Sequence, residues 1–435
     1  MNKSSSNRDC TIKVPILARV EGEGALDLVV KQGRIADLKL RIFEPPRLFE
    51  KFLQGRAYGE VPDLVARICG ICPVAYQMSA VHALENLFVS RPGTWIRDMR
   101  RVLYCGEWLQ SHALHINLLA APDFLGYPDA ISMAQDHPEV VKRGMRLQLL
   151  GDRLVSLFGA RSVHPIGVRV GGFFRAPKGQ EVEETLEALN EGIADARNML
   201  AWMSGLTFPD INQVFTSVAL RHVDEYPMNE GRIVSSDGLN IAVEDYQRYF
   251  QEYQAPHSTA FHAHLHGKPY LVGPLARLNL NWDLLPPEIR QAAQATGIEF
   301  PSRNMFHSIV ARAVEIYYAV LEAIRLLENY HYPAVAAVEV TPRAGEGVAC
   351  TEAPRGILWH RYVTDEQGRL LEADIVPPTS QNQARIEEDL HHSLTAFGLE
   401  HDDSELRAHA EQVIRNYDPC ISCSTHFLRL DIKRE

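Results

Sequence analysis

With 435 residues, 46% of them hydrophobic and 23% charged, the chain is long enough to build several lobes around a substantial core, unlike a small scaffold stapled by disulfides. Its net charge of −11 excludes the clustered Lys and Arg of a nucleic-acid surface. No stretch offers the roughly 18 uninterrupted apolar residues that cross a bilayer, and even residues 309–327 carry Arg312, Glu315, Glu322 and Arg325.

Residues 1–10 are polar and lack an apolar core, which predicts a short disordered tail rather than a signal peptide or an anchor. Ile12, Val14 and Ile16 alternate with polar residues, 25–30 and 35–43 are strand-like, and Lys31-Gln32-Gly33-Arg34 turns between them. Together they predict a small β-meander. Helical spacing follows in 48–53 and 74–89, then in four long segments, 94–119, 139–157, 182–203 and 305–330, expected to form one buried bundle. Glu181, Glu183 and Glu184 cluster around the start of the third, where the helix dipole favours them. Segments 163–177, 207–240 and 257–281 predict loops and short strands of a second lobe, and 341–356 and 374–383 are loop-like and rich in Pro, Gly and Thr. A last helix is expected at 383–395, with a helical segment ending near Arg415. The predicted class is α+β, mainly α, with a central long-helix bundle, a small peripheral β-meander and loop-rich lobes.

Seven cysteines, an odd number with no secretory signal, do not form a disulfide framework, and they point to a reducing, cytoplasmic setting. Cys69-Gly70-Ile71-Cys72 and Cys420-Ile421-Ser422-Cys423 each set two thiolates three residues apart, so that both can face one ion. Spacing alone gives four soft ligands, suited to structural zinc or an iron–sulfur centre. A zinc ribbon is a local unit, however, and these pairs lie at opposite ends of the chain. A site closed only by the complete fold suits a buried catalytic centre better.

The flanks are more specific. Arg67-Ile68-Cys69-Gly70-Ile71-Cys72-Pro73 and Asp418-Pro419-Cys420-Ile421-Ser422-Cys423-Ser424-Thr425-His426 resemble the two signature motifs of nickel–iron hydrogenase large subunits. Arg19-Val20-Glu21-Gly22-Glu23-Gly24, Arg47-Leu48-Phe49-Glu50, His112-Ala113-Leu114-His115, Gly273-Pro274-Leu275-Ala276-Arg277 and Glu352-Ala353-Pro354-Arg355-Gly356 resemble the same family in order, so the likeness covers nearly the whole chain. The compact length, Arg19-Val20-Glu21-Gly22-Glu23-Gly24 and Ala121-Pro122-Asp123-Phe124-Leu125-Gly126-Tyr127 look most like the cytoplasmic, bidirectional, NAD(P)-linked or sulfhydrogenase-type group.

The resemblance implies reversible heterolytic cleavage of dihydrogen at nickel held by Cys69, Cys72, Cys420 and Cys423. Cys72 and Cys423 would also bridge to iron bearing carbon monoxide and cyanide. It makes Cys420 the first proton acceptor and Glu21 the next toward solvent, a task suited to a carboxylate whose pKa burial can tune. Arg355 would sit beside the iron and donate to one cyanide, and Thr379 would bond the other from a loop fixed by Pro377 and Pro378. Asp123 and Asp418 would support the centre, Asp418 by pairing with Arg355. His112 and His115 would support its hydrogen-bond network or simply pack their helix. Glu50, the Ile375 carbonyl and His426 would hold a divalent ion, usually magnesium, although an imidazole is unusual for that ion.

Two departures stand out. Many relatives have His where this chain has Tyr76, whose phenol can still donate to a bridging sulfur. Relatives are also often cut just after the last His, so residues 427–435 read as a maturation peptide, with 11–426 as one multi-lobed domain. Cys10, Cys105 and Cys350 are too few for an iron–sulfur cluster, and no G-x-G-x-x-G follows a strand. Iron–sulfur clusters are therefore expected in a small partner subunit, and flavin and NAD(P) in diaphorase subunits beyond it. The competing expectations are a non-catalytic zinc or iron–sulfur scaffold and a subunit related to respiratory NADH dehydrogenase. The second loses its nickel ligands, whereas all four cysteines are present here.

Overall fold

The computed structural model describes residues 9–425; His426 and the predicted maturation peptide lie outside the described residues, as do residues 1–8. Strands β1 (Cys10–Val14), β2 (Gly24–Lys31) and β3 (Arg34–Ile42) form the expected antiparallel meander. Val14, Leu26, Leu28, Leu40 and Ile42 are buried, while Ile16 falls outside the strand and is exposed. Two residues of the predicted tail are structured: Cys10 pairs with Val30, and the Asp9 carboxylate accepts the Gln32 N–H (2.7 Å).

Short helices α1 (Phe49–Leu53) and α2 (Val61–Val65) lead to α3 (Pro73–Leu87), which is buried on almost every face and therefore lacks a polar stripe. The four long helices are α4 (Thr94–Leu114), α7 (Pro138–Gly159), α8 (Gly179–Trp202) and α12 (Ser308–Glu328), with the short α5 (Ala121–Leu125) and α6 (Ala130–Asp136) between the first two. α4 packs on α7 and α12, and α8 closes the ring against the same two, so the predicted bundle is present. At its C-terminal end α4 widens into a π-helical turn, His115–Ala120, a distortion common near functional sites.

The second lobe is built of small antiparallel sheets. They are β4 (Val168–Arg169) with β5 (Gly172–Phe173), then β6 (Val218–Arg221), β7 (Arg232–Ser235) and β8 (Asn240–Ile241), and, after α9 (Tyr246–Tyr249), β9 (Phe250–Gln254) with β10 (Phe261–Leu265). Helices α10 (Pro274–Asn281) and α11 (Pro287–Gln294) join it to α12.

One expectation is overturned. Residues 341–356 and 374–383, predicted as loops, lie largely in a sheet of β11 (Gly345–Ala353), β12 (Gly356–Thr364) and β13 (Leu370–Val376), followed by α13 (Pro378–Phe397) and α14 (Asp403–Asn416). From Gly347 onward β11 is buried on both faces, against α3 and β12, so it shows none of the alternation that marks a half-exposed strand. Gly347 marks the crossing with α3, where a Cβ would meet the Ala83 carbonyl oxygen at 2.2 Å.

Candidate metal centre

Cys72 immediately precedes α3, and Pro73 takes the first helical position, where a missing N–H leaves no bond unmade. The Ile71 and Cys72 amides turn back onto Cys69 Sγ, each at 3.3 Å. Glu107, from α4, accepts the Val74 and Ala75 N–H groups (2.6 and 3.1 Å) and so fixes the start of α3. Burial pushes the Glu107 carboxyl well above its usual range.

The second pair follows Asp418, whose left-handed backbone (φ 52°) is one that Asp tolerates better than most residues. Pro419 and the 3₁₀ turn Ile421–Thr425 then present Cys420 and Cys423. Two devices join the chain ends. Glu21 and Cys420 form a parallel bridge, in which Ile421 N–H donates to the Glu21 carbonyl (3.0 Å). Gly22 permits this approach, since at φ +87° a Cβ would stand 2.7 Å from Ile421 Cβ. Arg47 Nη2 donates to the Ile68 and Ser422 carbonyls (2.6 and 2.5 Å), clamping one motif to the other.

The four thiols are buried and form no disulfide, with Cys69–Cys420 Sγ atoms 3.4 Å apart, Cys72–Cys423 3.8 Å and Cys420–Cys423 3.0 Å. These separations exceed a disulfide's roughly 2.05 Å. Hydrogen bonds from Cys420, Cys423 and Cys72 hold the Cys69 thiol well below its usual range. The contact with Cys423, then those with Cys69 and Cys72, raise Cys420 far above it. Without a cation, the cluster resists holding several negative charges at once.

Cys420 Sγ donates to Glu21 Oε2 (3.0 Å), and Ser422 contributes its N–H to the same oxygen (3.1 Å) and its hydroxyl to Glu21 Oε1 (2.6 Å). Arg355 Nε donates to the Asp418 carbonyl (2.6 Å) and Nη2 pairs with the Asp418 carboxylate (3.0 Å), as expected. Burial opposes the Arg355 charge, but Asp418 and then the sulfurs of Cys420, Cys72 and Cys69 keep it protonated.

Thr379 lies in the first turn of α13, not in a loop, and its Oγ1 accepts the Cys420 N–H (3.0 Å). Tyr76 Oη is buried without a hydrogen-bond partner, so the expected bond to sulfur is not made. Burial and the charges of Cys423, Cys72 and Cys69 keep that phenol protonated. Asp123 contacts neither the thiols nor Arg355. It takes two bonds from Arg415 (2.7 and 2.9 Å) and one from Arg19, and so reaches the centre only through the segment leading to Asp418. Glu50 Oε1 accepts the Ile375 N–H (2.9 Å), which brings together two of the three expected ligands of the divalent ion. The third, His426, lies outside the described residues.

A family model described as nickel-dependent hydrogenase matches residues 47–146 and 242–426, two blocks that contain all four thiols. The chain belongs to the nickel-dependent hydrogenase family. The alpha subunit of sulfhydrogenase 1 from Pyrococcus furiosus is 34% identical over 424 residues, covering 96% of this chain and 98% of that one. The beta subunit of the NAD-reducing hydrogenase HoxS of Cupriavidus necator is 28% identical over 463 residues, covering 95% and 94%. A solved NAD⁺-reducing [NiFe]-hydrogenase in the H2-reduced state superposes with a TM-score of 0.86 at 25% identity, covering 96% of this chain and 99% of its own.

The hydrogenase centre has donors that fit a nickel–iron group. Four thiol sulfurs lie within 4.8 Å of one another, and Arg355 Nη1 is a buried donor with no partner in the protein. Sequence reasoning did not assign Arg47 or Glu107, and it placed Arg277, Glu315 and Glu352 only in motifs or as charges on an apolar helix. These last three form a fully buried cluster beside the centre: Arg277 bonds both carboxylates, His112 Nε2 meets Glu315 at 2.9 Å, and the Tyr226 hydroxyl donates to Glu315 at 2.7 Å.

His115 Nε2 donates to the Arg415 carbonyl (2.7 Å), and burial, with Arg312 nearby, lowers its imidazole from 6.5 to about 3. Between those values the unfolded chain binds a proton that the folded chain does not, so this group costs stability as pH falls from 6.5 toward 3. Thermal unfolding of His115→Gln should therefore shift in the variant's favour, relative to the native protein, on stepping from pH 7 to pH 5. A difference that does not change with pH would contradict this.

Proposed function

We propose that this chain is the catalytic subunit of a nickel–iron hydrogenase that cleaves dihydrogen reversibly to protons and electrons. The observation that carries the reading is the 3.0 Å contact from Cys420 Sγ to Glu21 inside a nest of four thiols. Cys69, Cys72, Cys420 and Cys423 would hold the nickel–iron group through their four sulfurs. That pair of metals, with carbon monoxide and cyanide on the iron, supplies the electron-accepting half of the reaction when bound.

The protein's own groups handle the proton and the geometry. Cys420 Sγ takes the proton and passes it to Glu21 Oε2, a half-buried carboxylate between the buried thiol and solvent. Ser422 holds both oxygens of Glu21, so the acceptor does not rotate away from the sulfur. Arg355, anchored by Asp418, would offer Nη1 to one cyanide of that group, and Thr379, whose Oγ1 takes the Cys420 amide, would offer its hydroxyl proton to the other. Tyr76 stays a neutral phenol, held protonated by burial and by the charge of Cys423. Glu50 and the Ile375 carbonyl, with His426, would hold a divalent ion.

Electrons leave through a small subunit carrying iron–sulfur clusters, and then through diaphorase subunits to NAD(P), in the cytoplasm. Among the described residues no helix is long and apolar enough to cross a membrane. The deciding experiment is metal analysis with infrared spectroscopy on the purified complex. Nickel and iron together, with carbon monoxide and cyanide bands, are expected. Zinc alone, or nickel-loaded active protein without those bands, would overturn the assignment.

A further inference from the structure

We propose that His257, His262 and Glu387 form a second metal site, for a divalent ion of the zinc class, that ties the β9–β10 hairpin to helix α13. It is built from three separate elements. His257 comes from the turn before β10, His262 from β10 itself and Glu387 from the second turn of α13 beyond Thr379. One ligand atom from each lies within 4.8 Å of the other two.

His257 Nε2 is 2.7 Å from Glu387 Oε1, and His262 Nε2 is 3.9 Å from Glu387 Oε2. Two donors on one tetrahedral ion, with bonds of about 2.0 Å, sit roughly 3.3 Å apart. The two spacings to the carboxylate bracket that value and the third pair lies within 4.8 Å, so modest side-chain rotations seat an ion.

The second observation is the state of His262. Its side chain is 1% exposed, and neither ring nitrogen has a hydrogen-bond partner, although its Nε2 faces the carboxylate. Buried imidazoles with a purely packing role normally satisfy at least one nitrogen. The surroundings are organised as they are around metal ligands. The Leu40 N–H fixes Glu387 Oε1 (2.9 Å), and the Tyr253 ring lies 5.4 Å from the His262 ring.

The donor set of two imidazoles and a carboxylate suits zinc, and other borderline ions, better than magnesium or calcium. His257 and Glu387 are 19% and 21% exposed, which leaves room for water to complete the coordination. There is no sulfur in the site, so its ion is chemically distinguishable from anything on the four cysteines. Eight residues of helix, about 12 Å at 1.5 Å per residue, separate Glu387 from Thr379.

The test uses the nickel-loaded complex, stripped of loosely held ions with a chelator and titrated with zinc sulfate. The expected result is one zinc per chain beyond the nickel and iron, with only nitrogen and oxygen neighbours at about 2.0–2.1 Å in zinc-edge X-ray absorption. His262→Gln and Glu387→Gln should each weaken zinc binding roughly 100-fold or more. Their retained nickel content and infrared bands would show that the fold and the cysteine centre are intact. Absence of stoichiometric zinc, a sulfur shell, or unchanged affinity in both folded variants would overturn the proposal.

Discussion

Glu21→Gln should assemble with normal nickel and iron content and unchanged carbon monoxide and cyanide bands, yet oxidise dihydrogen about 10²–10⁴-fold more slowly, the usual span for losing a positioned acid–base group. The amide oxygen still accepts the Ser422 N–H, its NH2 can donate to the Ser422 hydroxyl oxygen, and it fills the same space beside Cys420, so Glu21's contacts with Ser422 are largely kept. What it lacks is a carboxylate able to receive the proton of Cys420 Sγ from 3.0 Å. The loss should appear equally in dye-linked hydrogen uptake and in exchange of deuterium gas with solvent protons, since both need the proton to leave. A variant with full metal content and native exchange would remove Glu21 from the path.

Arg277→Met should be the most damaging substitution away from the thiols. Arg277 is fully buried and bonds Glu315 through Nε and Nη2 (2.7 and 2.8 Å) and Glu352 through Nη1 (2.5 Å), with its guanidinium 4.2 Å from the Trp108 ring centre. Arg277 helps to hold Glu315 at about 2, while burial raises Glu352 to about 7 despite Arg277. Removing one partner of such a cluster leaves buried charge uncompensated, at a cost of about 3–5 kcal/mol. Arg277 also donates to the Ala353 and Pro354 carbonyls, the two residues before Arg355, so the damage should reach the metal centre. Denaturant unfolding should show a lower midpoint, and Arg277→Met combined with Glu315→Gln and Glu352→Gln should recover part of it. A native midpoint in the single variant would refute the electrostatic role.

Most legible were elements with a dry side and a wet side: the meander, α7 and α8 show their alternation or stripe because each meets solvent along one face, whereas α12, buried on nearly every side, was legible from the length of its apolar run. β11 was missed because burial on both faces, together with small residues chosen for close approach to α3, erases that contrast. The same division runs through the centre. Cysteine spacing and its flanks singled out the four thiols that the fold gathers, and the resemblance gave the Arg355–Asp418 pair. Arg47 and Glu107 act on backbone carbonyls and amides, which leave no complementary side chain in the sequence to betray them. Asp123 was placed near the metal by its motif, but its charge is answered by Arg19 and Arg415 instead. His257 and Glu387 are 130 residues apart, and only the fold makes them neighbours.

The distance along the chain between Cys69 and Cys420, 351 residues, also sets a timetable for biogenesis. At roughly 5–20 residues per second of synthesis, the first pair of thiols emerges about 20–70 seconds before the second. During that interval Cys69 and Cys72 stand outside the ribosome with half a coordination sphere, open to oxidation and to capture by whichever soft ion is abundant. Nickel delivery therefore belongs to the end of folding, when Arg47 has drawn the two loops together, and production of the active protein favours slow growth, anaerobic conditions and scarce free zinc.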